Sequence, residues 1–202
     1  MEKVKFEVTL KQLRKAGACV SGYNKLARSL QGQPYTAQDE ARESWLRFAY
    51  KDPINLLTIL ESNGVNDCLW ALRAVVHPDL ARIVRYIACD SAEFCLHNFE
   101  SRYPEDMRVR NCINTARKFA DGIATEEDRH AARSAAQSAA QSAAEYAARS
   151  AAGYAAESAA GYAVWYAAAQ SAGAAVRSAA RSGAESTAWA AFVTTLRTYL
   201  TM

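Results

Sequence analysis

Several things are scarce in this 202-residue sequence, and each scarcity excludes a class of protein. No apolar run has the length and hydrophobicity of a membrane span, and the opening Met1-Glu2-Lys3-Val4-Lys5 lacks a signal-peptide core. A cytoplasmic protein of a bacterial cell, away from the membrane, is the expectation. An excess of one charge is also missing, with 24 Lys+Arg against 21 Asp+Glu. Divided at residue 130, the chain carries 19 basic and 18 acidic residues before the cut and 5 and 3 after it. Neither half is a basic arm, which argues against a nucleic-acid partner bound mainly by phosphate neutralisation. Cysteine numbers five, odd and irregularly spaced, which suits reduced thiols better than a disulfide framework. Sustained period-2 alternation of β-branched residues is absent, and Phe6 to Leu10 is the single weak strand candidate. The predicted class is all-α, and the length allows a sizeable core.

What fills the chain is helix grammar. Thr9 caps a predicted helix from Leu10 to Ala16, and Ser21 caps a second from about Gly22 to Leu30. After a break at Gln31 to Pro34, residues 37–50 place Ala41, Trp45, Phe48 and Ala49 on one helical stripe. Asp52-Pro53 predicts a cap and a first helical turn, with Gly64 as the stop. Asn66 caps the next predicted helix, which ends at His77-Pro78. Residues 79–101 form the longest amphipathic helix of this half, with Leu80, Ile83, Val84, Ile87, Ser91, Phe94 and Cys95 along one side. Another runs from near Met107 to Ala120 and buries Val109, Cys112, Ile113 and Ala116 before Gly122.

At Thr125 the pattern changes. Thr125-Glu126-Glu127-Asp128 resembles a capping box, and 29 of the 61 residues from Ala131 to Ala191 are alanine, with Ala-Ala pairs beginning every four residues from 131 to 159. Four residues at about 100° each rotate the paired stripe by roughly 40° per repeat, so no straight partner follows it for long. An unbroken helix from Glu126 to Ser182 would be roughly 85 Å long, against a radius of gyration of about 16–17 Å for a compact chain of this size. The repeat must coil, break or protrude. A last amphipathic helix, capped by Ser186 or Thr187, carries Trp189, Phe192, Val193, Leu196, Tyr199 and Leu200. The expected organisation is an N-terminal helical module (1–34), a helical core (35–124), the Ala-rich repeat helix (125–185) and a C-terminal docking helix (186–202).

No catalytic set stands out. Asp90, Glu93 and His97 share one face of the 79–101 helix, and Glu93 with His97 has the chemistry for metal binding or acid–base work. The same face carries Arg82, Tyr86 and Glu100 opposite the apolar stripe, which reads as a solvated face with Tyr86–Asp90 and Glu93–His97 as neighbours at i+4. Cys68, Cys89, Cys95 and Cys112 lack any C-x-x-C spacing and read as packed thiols rather than a zinc cluster; no Cys nucleophile is flagged beside His77, His97 or His130. The corner Tyr103-Pro104-Glu105-Asp106-Met107-Arg108-Val109-Arg110 reads either as a capping and ion-pair turn or as a directional charged surface for a protein partner. Tyr146, Tyr154 and Tyr162, followed by Trp165 and Tyr166, are placed to pack into small-residue grooves rather than to stack bases. Neither metal nor cofactor is expected.

Two of these motifs carry a family resemblance. The stretch from Leu69 to Gly122, with Leu69-Trp70-Ala71-Leu72-Arg73-Ala74 and Ala88-Cys89-Asp90-Ser91-Ala92-Glu93, resembles the immunity-five-like immunity proteins. Asp90, Ala92 and Glu93 match that family's Asp-Cys-Ala-Glu core, with Ser91 in place of Cys. Tyr103, Pro104, Asp106, Arg108 and Arg110 match its Tyr-Pro-x-Asp-x-Arg-Pro-Arg corner, with Val109 in place of the second Pro. Ile113, Ala116 and Arg117 match the Ala-Ile-Glu-x-Ala-Arg that follows, where Cys112 and Asn114 depart. The segment Leu10 to Cys19 with Gly22-Tyr23 resembles a leader module of tailed-phage proteins.

The resemblance implies an all-α, non-enzymatic binding protein: an immunity-type inhibitor or a phage counter-defence factor contacting a toxin or host defence component. Asp90, Glu93, His97, Tyr103, Asp106, Arg108 and Arg110 are the candidate partner-binding residues. The alternatives are a structural protein that forms homo-oligomers through its Ala-rich helix, and a protein that sequesters a small nucleotide signal.

Overall fold

Thr9 opens the first helix as its spacing predicts. In the computed structural model, which describes residues 5–142 and 185–201, its hydroxyl accepts the Gln12 N–H at 3.2 Å while the Gln12 side chain accepts the Thr9 N–H at 2.7 Å. This capping box starts α1 (Leu10–Lys15). The chain divides into two compact units: residues up to His77 together with the last three, and Pro78 to Tyr199. The expected boundary at 34/35 therefore falls inside one unit.

In the first unit, β1 (Glu7–Val8) pairs antiparallel with β2 (Ile54–Asn55), Val8 opposite Ile54. This small sheet displaces the helix start expected at Asp52-Pro53. The chain stays extended through Asn55, whose side chain then caps α4 (Leu56–Asn63) by accepting the Leu57 N–H at 2.8 Å. α2 (Val20–Leu30) also starts one residue before the expected cap. The Cys19 sulfur, not the Ser21 hydroxyl, receives the Gly22 N–H at 3.4 Å. Any Cβ at position 22 would meet the Asp67 carboxylate at 3.0 Å, so glycine lets α2 approach α5 (Val65–Ala71). α5 has Gly64 rather than Asn66 at its N-cap position, and a single 3₁₀ turn over Leu72–Ala74 ends it short of His77.

The largest departure lies between 37 and 50. α3 is a single turn (Ala37–Glu40), and residues 45–50 have no regular secondary structure. Asn24, fully buried in α2, supplies the reason. Its amide donates to the Ser44 carbonyl at 3.1 Å and its Oδ1 accepts the Leu46 N–H at 2.8 Å. Those backbone groups find their partners in a side chain instead of in a helical turn. Asp39 fixes the other end, taking the Arg28 guanidinium at 2.8 Å and the Thr36 N–H at 3.1 Å.

The second unit follows the periodicity closely. α6 (Leu80–Glu100), α7 (Arg108–Ala120) and α8 (Glu126–Ser142) meet in a core of Cys89, Ala92, Leu96, Phe99, Val109, Cys112, Ile113, Ala116, Ala136 and Ala139. Gly122 at φ 71° ends α7, and Thr125 with Asp128 caps α8 reciprocally at 2.8 and 3.1 Å. The first Ala-Ala pairs already show the predicted drift. Ala132 and Ala136, the second members of their pairs, face the core, and by the next pair the buried residue is the first member, Ala139. α9 (Glu185–Thr201) buries Leu196 and Leu200, and Ser186 and Thr187 fall inside it rather than at a cap. The expectations for Tyr146, Tyr154, Tyr162, Trp165, Tyr166 and the later repeats lie outside the described residues, as do those for the side chains of Ser91, Phe94, Cys95, Trp189 and Phe192. The fold is all-α, and among the described residues no helix is long and apolar enough to cross a membrane.

Candidate functional site

The expected site residues sit on α6, on the turn after it and at the start of α7. α6 exposes its charged face because Val84, Ile87, Ala88, Leu96 and Phe99 take the other face inward. That face is not simply solvated, since α7 runs back along it and the two helices exchange ion pairs over their whole overlap.

Near the start of α6, the Arg82 guanidinium donates to Asp121 Oδ1 at 2.8 Å and the Tyr86 hydroxyl to Asp121 Oδ2 at 2.6 Å. In the middle, one Arg117 nitrogen donates to both Asp90 (2.6 Å) and Glu93 (2.5 Å). The Tyr199 hydroxyl of α9 closes the remaining Asp90 oxygen at 2.6 Å. At the far end, Arg110 clasps Glu100 through two bonds of 2.5 and 2.6 Å. Beyond it, Asp106 accepts the backbone N–H of Arg108 at 3.1 Å and its guanidinium at 2.8 and 2.6 Å. The carboxylate thereby satisfies one of the unpaired N–H groups that open α7.

The electrostatics follow from these contacts. Partial burial works against the Arg117 charge, but the hydrogen bonds it donates to Glu93 and Asp90 outweigh it and hold its pKa above the ordinary guanidinium value. Burial first, and then Asp90, push the Tyr199 hydroxyl up, so it stays a donor. Arg108 lowers Asp106, and Asp121 is lowered by Tyr86 and Arg82.

The structure thus brings Asp90 and Glu93 together through Arg117, whereas the expected Tyr86–Asp90 neighbour pair is replaced by Tyr86–Asp121. His97 lies exposed on α6, one turn beyond Glu93. Tyr103 packs its ring on Phe99 at 5.1 Å and lies against the core. Arg82, Asp121 and Tyr199 were not candidates from sequence, and Arg117 was noted only as a motif match. A signal for the rungs does exist. Arg82, Asp90/Glu93 and Glu100 read forward along α6 as plus, minus, minus, and Asp121, Arg117 and Arg110 read backward along α7 with the complementary signs.

As chemistry, this is a row of paired charges. Every carboxylate of the rungs is held by a guanidinium, and no described group of three or more His, Cys, Asp or Glu residues is arranged to hold a metal. The described thiols behave as packed hydrophobes where they are buried. Desolvation pushes Cys68, Cys89 and Cys112 up to about 12, and only Cys19 is exposed among them. Comparison with family models, with curated proteins and with solved structures finds no match for the chain.

Proposed function

We propose that this chain is a non-enzymatic protein-binding inhibitor, an immunity-type protein or phage counter-defence factor that acts in the cytoplasm of a bacterial cell. Its partner would be a protein, a toxin or a host defence component, docking on the α6–α7 charged face. The observation that carries this reading is the fixed, part-exposed charge of that face. Glu93 keeps 43% of its side chain in solvent, Arg110 40% and Arg108 41%, while each is already oriented by an intramolecular partner. Charges held this way lose little conformational freedom on docking and can set the orientation and rate of encounter. The immunity-family motifs fall on the same residues and support the same reading.

The test uses charge swaps that keep each rung while inverting its polarity. In Glu100→Arg/Arg110→Glu the intramolecular pair survives and the helix content by circular dichroism should match the parent. In Asp106→Arg/Arg108→Asp the side-chain pair survives while α7 loses one N-terminal acceptor, so helix content should fall by no more than about one turn. A partner captured from host lysate by the parent chain and identified by mass spectrometry should be lost by both variants. Capture of an unchanged partner set by both would sink the proposal.

The sequestering alternative has less room in the recess under α2, α4 and α5. The space there is about 140 Å³, below the roughly 300–1,000 Å³ of typical ligand sites. Its polar groups, Asn63 and Asp67, already bond to each other at 2.7 Å. For the self-associating alternative, Ala136 and Ala139 are spent on packing within the chain. A dilute monomer in sedimentation would remove that alternative altogether.

A further inference from the structure

The near balance of charge over the whole chain conceals a local imbalance in the first unit. An open groove of about 580 Å³ runs between α1 and the irregular segment 45–51. Lys11, Arg14, Lys15 and Lys51 line it, all exposed, and no carboxylate does. The remaining wall is aromatic apart from Leu10 and Ala49. Trp45 is 37% exposed, with the Arg14 guanidinium 4.5 Å from its ring centre, and Phe48 and Tyr50 stack at 5.6 Å with planes 24° apart. The ion pairs described in this unit join Asp39 to Arg28 and Arg42, none of which lines the groove.

One exposed ring, Trp45, beside two half-buried ones and among cations that no lining carboxylate opposes, suits one kind of occupant well. A flat, unpaired base gains by stacking on rings and on a guanidinium plane, and the backbone phosphates between bases are met by the lysines. A duplex buries its base faces and offers nothing to Trp45. An acidic polypeptide would satisfy the lysines and leave the stacked rings unused. We infer that this groove binds single-stranded nucleic acid, independently of the α6–α7 face. Phosphate contact alone does not suffice in a chain so nearly neutral; here stacking adds the affinity that charge does not supply.

The experiment is fluorescence anisotropy of the full-length protein with a labelled 15-nucleotide oligo-dT. Binding is expected, and with two to three phosphates neutralised it should weaken roughly 7- to 20-fold between 50 and 200 mM salt. Trp45→Ala should weaken it by at least about fivefold. Lys11→Glu/Lys15→Glu, on an exposed face of α1 where folding is not at stake, should weaken it further and flatten the salt dependence. A duplex of the same length should bind less well, and deoxythymidine monophosphate should compete only at much higher concentration. No binding at 50 mM salt would overturn the inference. So would equal binding of duplex, affinity unmoved by both variants, or displacement by polyglutamate as effective as by unlabelled oligo-dT.

Discussion

Asn24 and Leu46 are joined by a hydrogen bond of 2.8 Å that decides the course of the chain from Ser44 to Tyr50. The acceptor is a buried carboxamide oxygen, and the same side chain also serves the Ser44 carbonyl. Removing it leaves backbone groups of this segment without their partner. Asn24→Ala should therefore cost about 1–3 kcal/mol of stability, read as a lowered urea midpoint. It should also raise amide exchange at Leu46 more than at Leu96 in the other unit.

Asp39 predicts an acid-dependent contribution to stability. The Arg28 hydrogen bonds, opposed by burial and aided by Thr36, hold its carboxyl well below the usual carboxylate range. A folded-state pKa below the unfolded value of about 3.9 means that the contribution is complete at neutral pH and fades as pH falls below that value. The stability difference between the parent and Asp39→Asn should be largest near pH 6 and narrow steadily towards pH 2.5. A difference independent of pH in urea titrations would contradict this.

The thiols should separate sharply by accessibility. Cys19 caps α2 at the surface, whereas Cys68, Cys89 and Cys112 are buried with their pKa values pushed up to about 12. In a Cys95→Ser background, a thiol reagent at pH 8 should label one site quickly. The other three should react only on unfolding, and Cys19→Ser should abolish the fast phase.

The seam of α8 can be tested by adding volume on either side of it. Ala136 and Ala139 are fully buried, while Ala131 is exposed. Ala136→Leu or Ala139→Leu should lower stability by about 1–3 kcal/mol through overpacking. Ala131→Leu should leave the thermal midpoint nearly unchanged.

These positions also show where the sequence was readable. α6, α7 and the start of α8 follow apolar periodicity because each buries one face on the other two, so local pattern and tertiary packing agree. The 37–50 stretch has the same periodic pattern and yet forms one helical turn. The deciding group, Asn24, lies twenty residues away and carries no local signature. β2 was missed for a related reason, since Ile54–Asn55 becomes a strand only when Glu7–Val8 lies beside it. The charged face of α6 was legible as charged but not as paired. A single amphipathic helix gives the angle of its polar face, not the identity of the helix that will run along its edge. Asp90 and Glu93 were thus found from sequence, while Asp121 and Tyr199, which complete the arrangement, were not.

The rungs between α6 and α7 also match the direction in which the hairpin lies. If α7 ran alongside α6 in the parallel sense, Arg82 would face Arg110 and Glu100 would face Asp121, setting like charges together at both ends. Only the antiparallel arrangement gives every rung opposite signs, as in Arg82–Asp121 and Glu100–Arg110. The short connection over residues 101–107 already sets the antiparallel direction, and the charges beside the apolar seam agree with it. A variant with both ends inverted on one helix alone should keep its helices and their antiparallel packing on the shared core while its thermal midpoint falls.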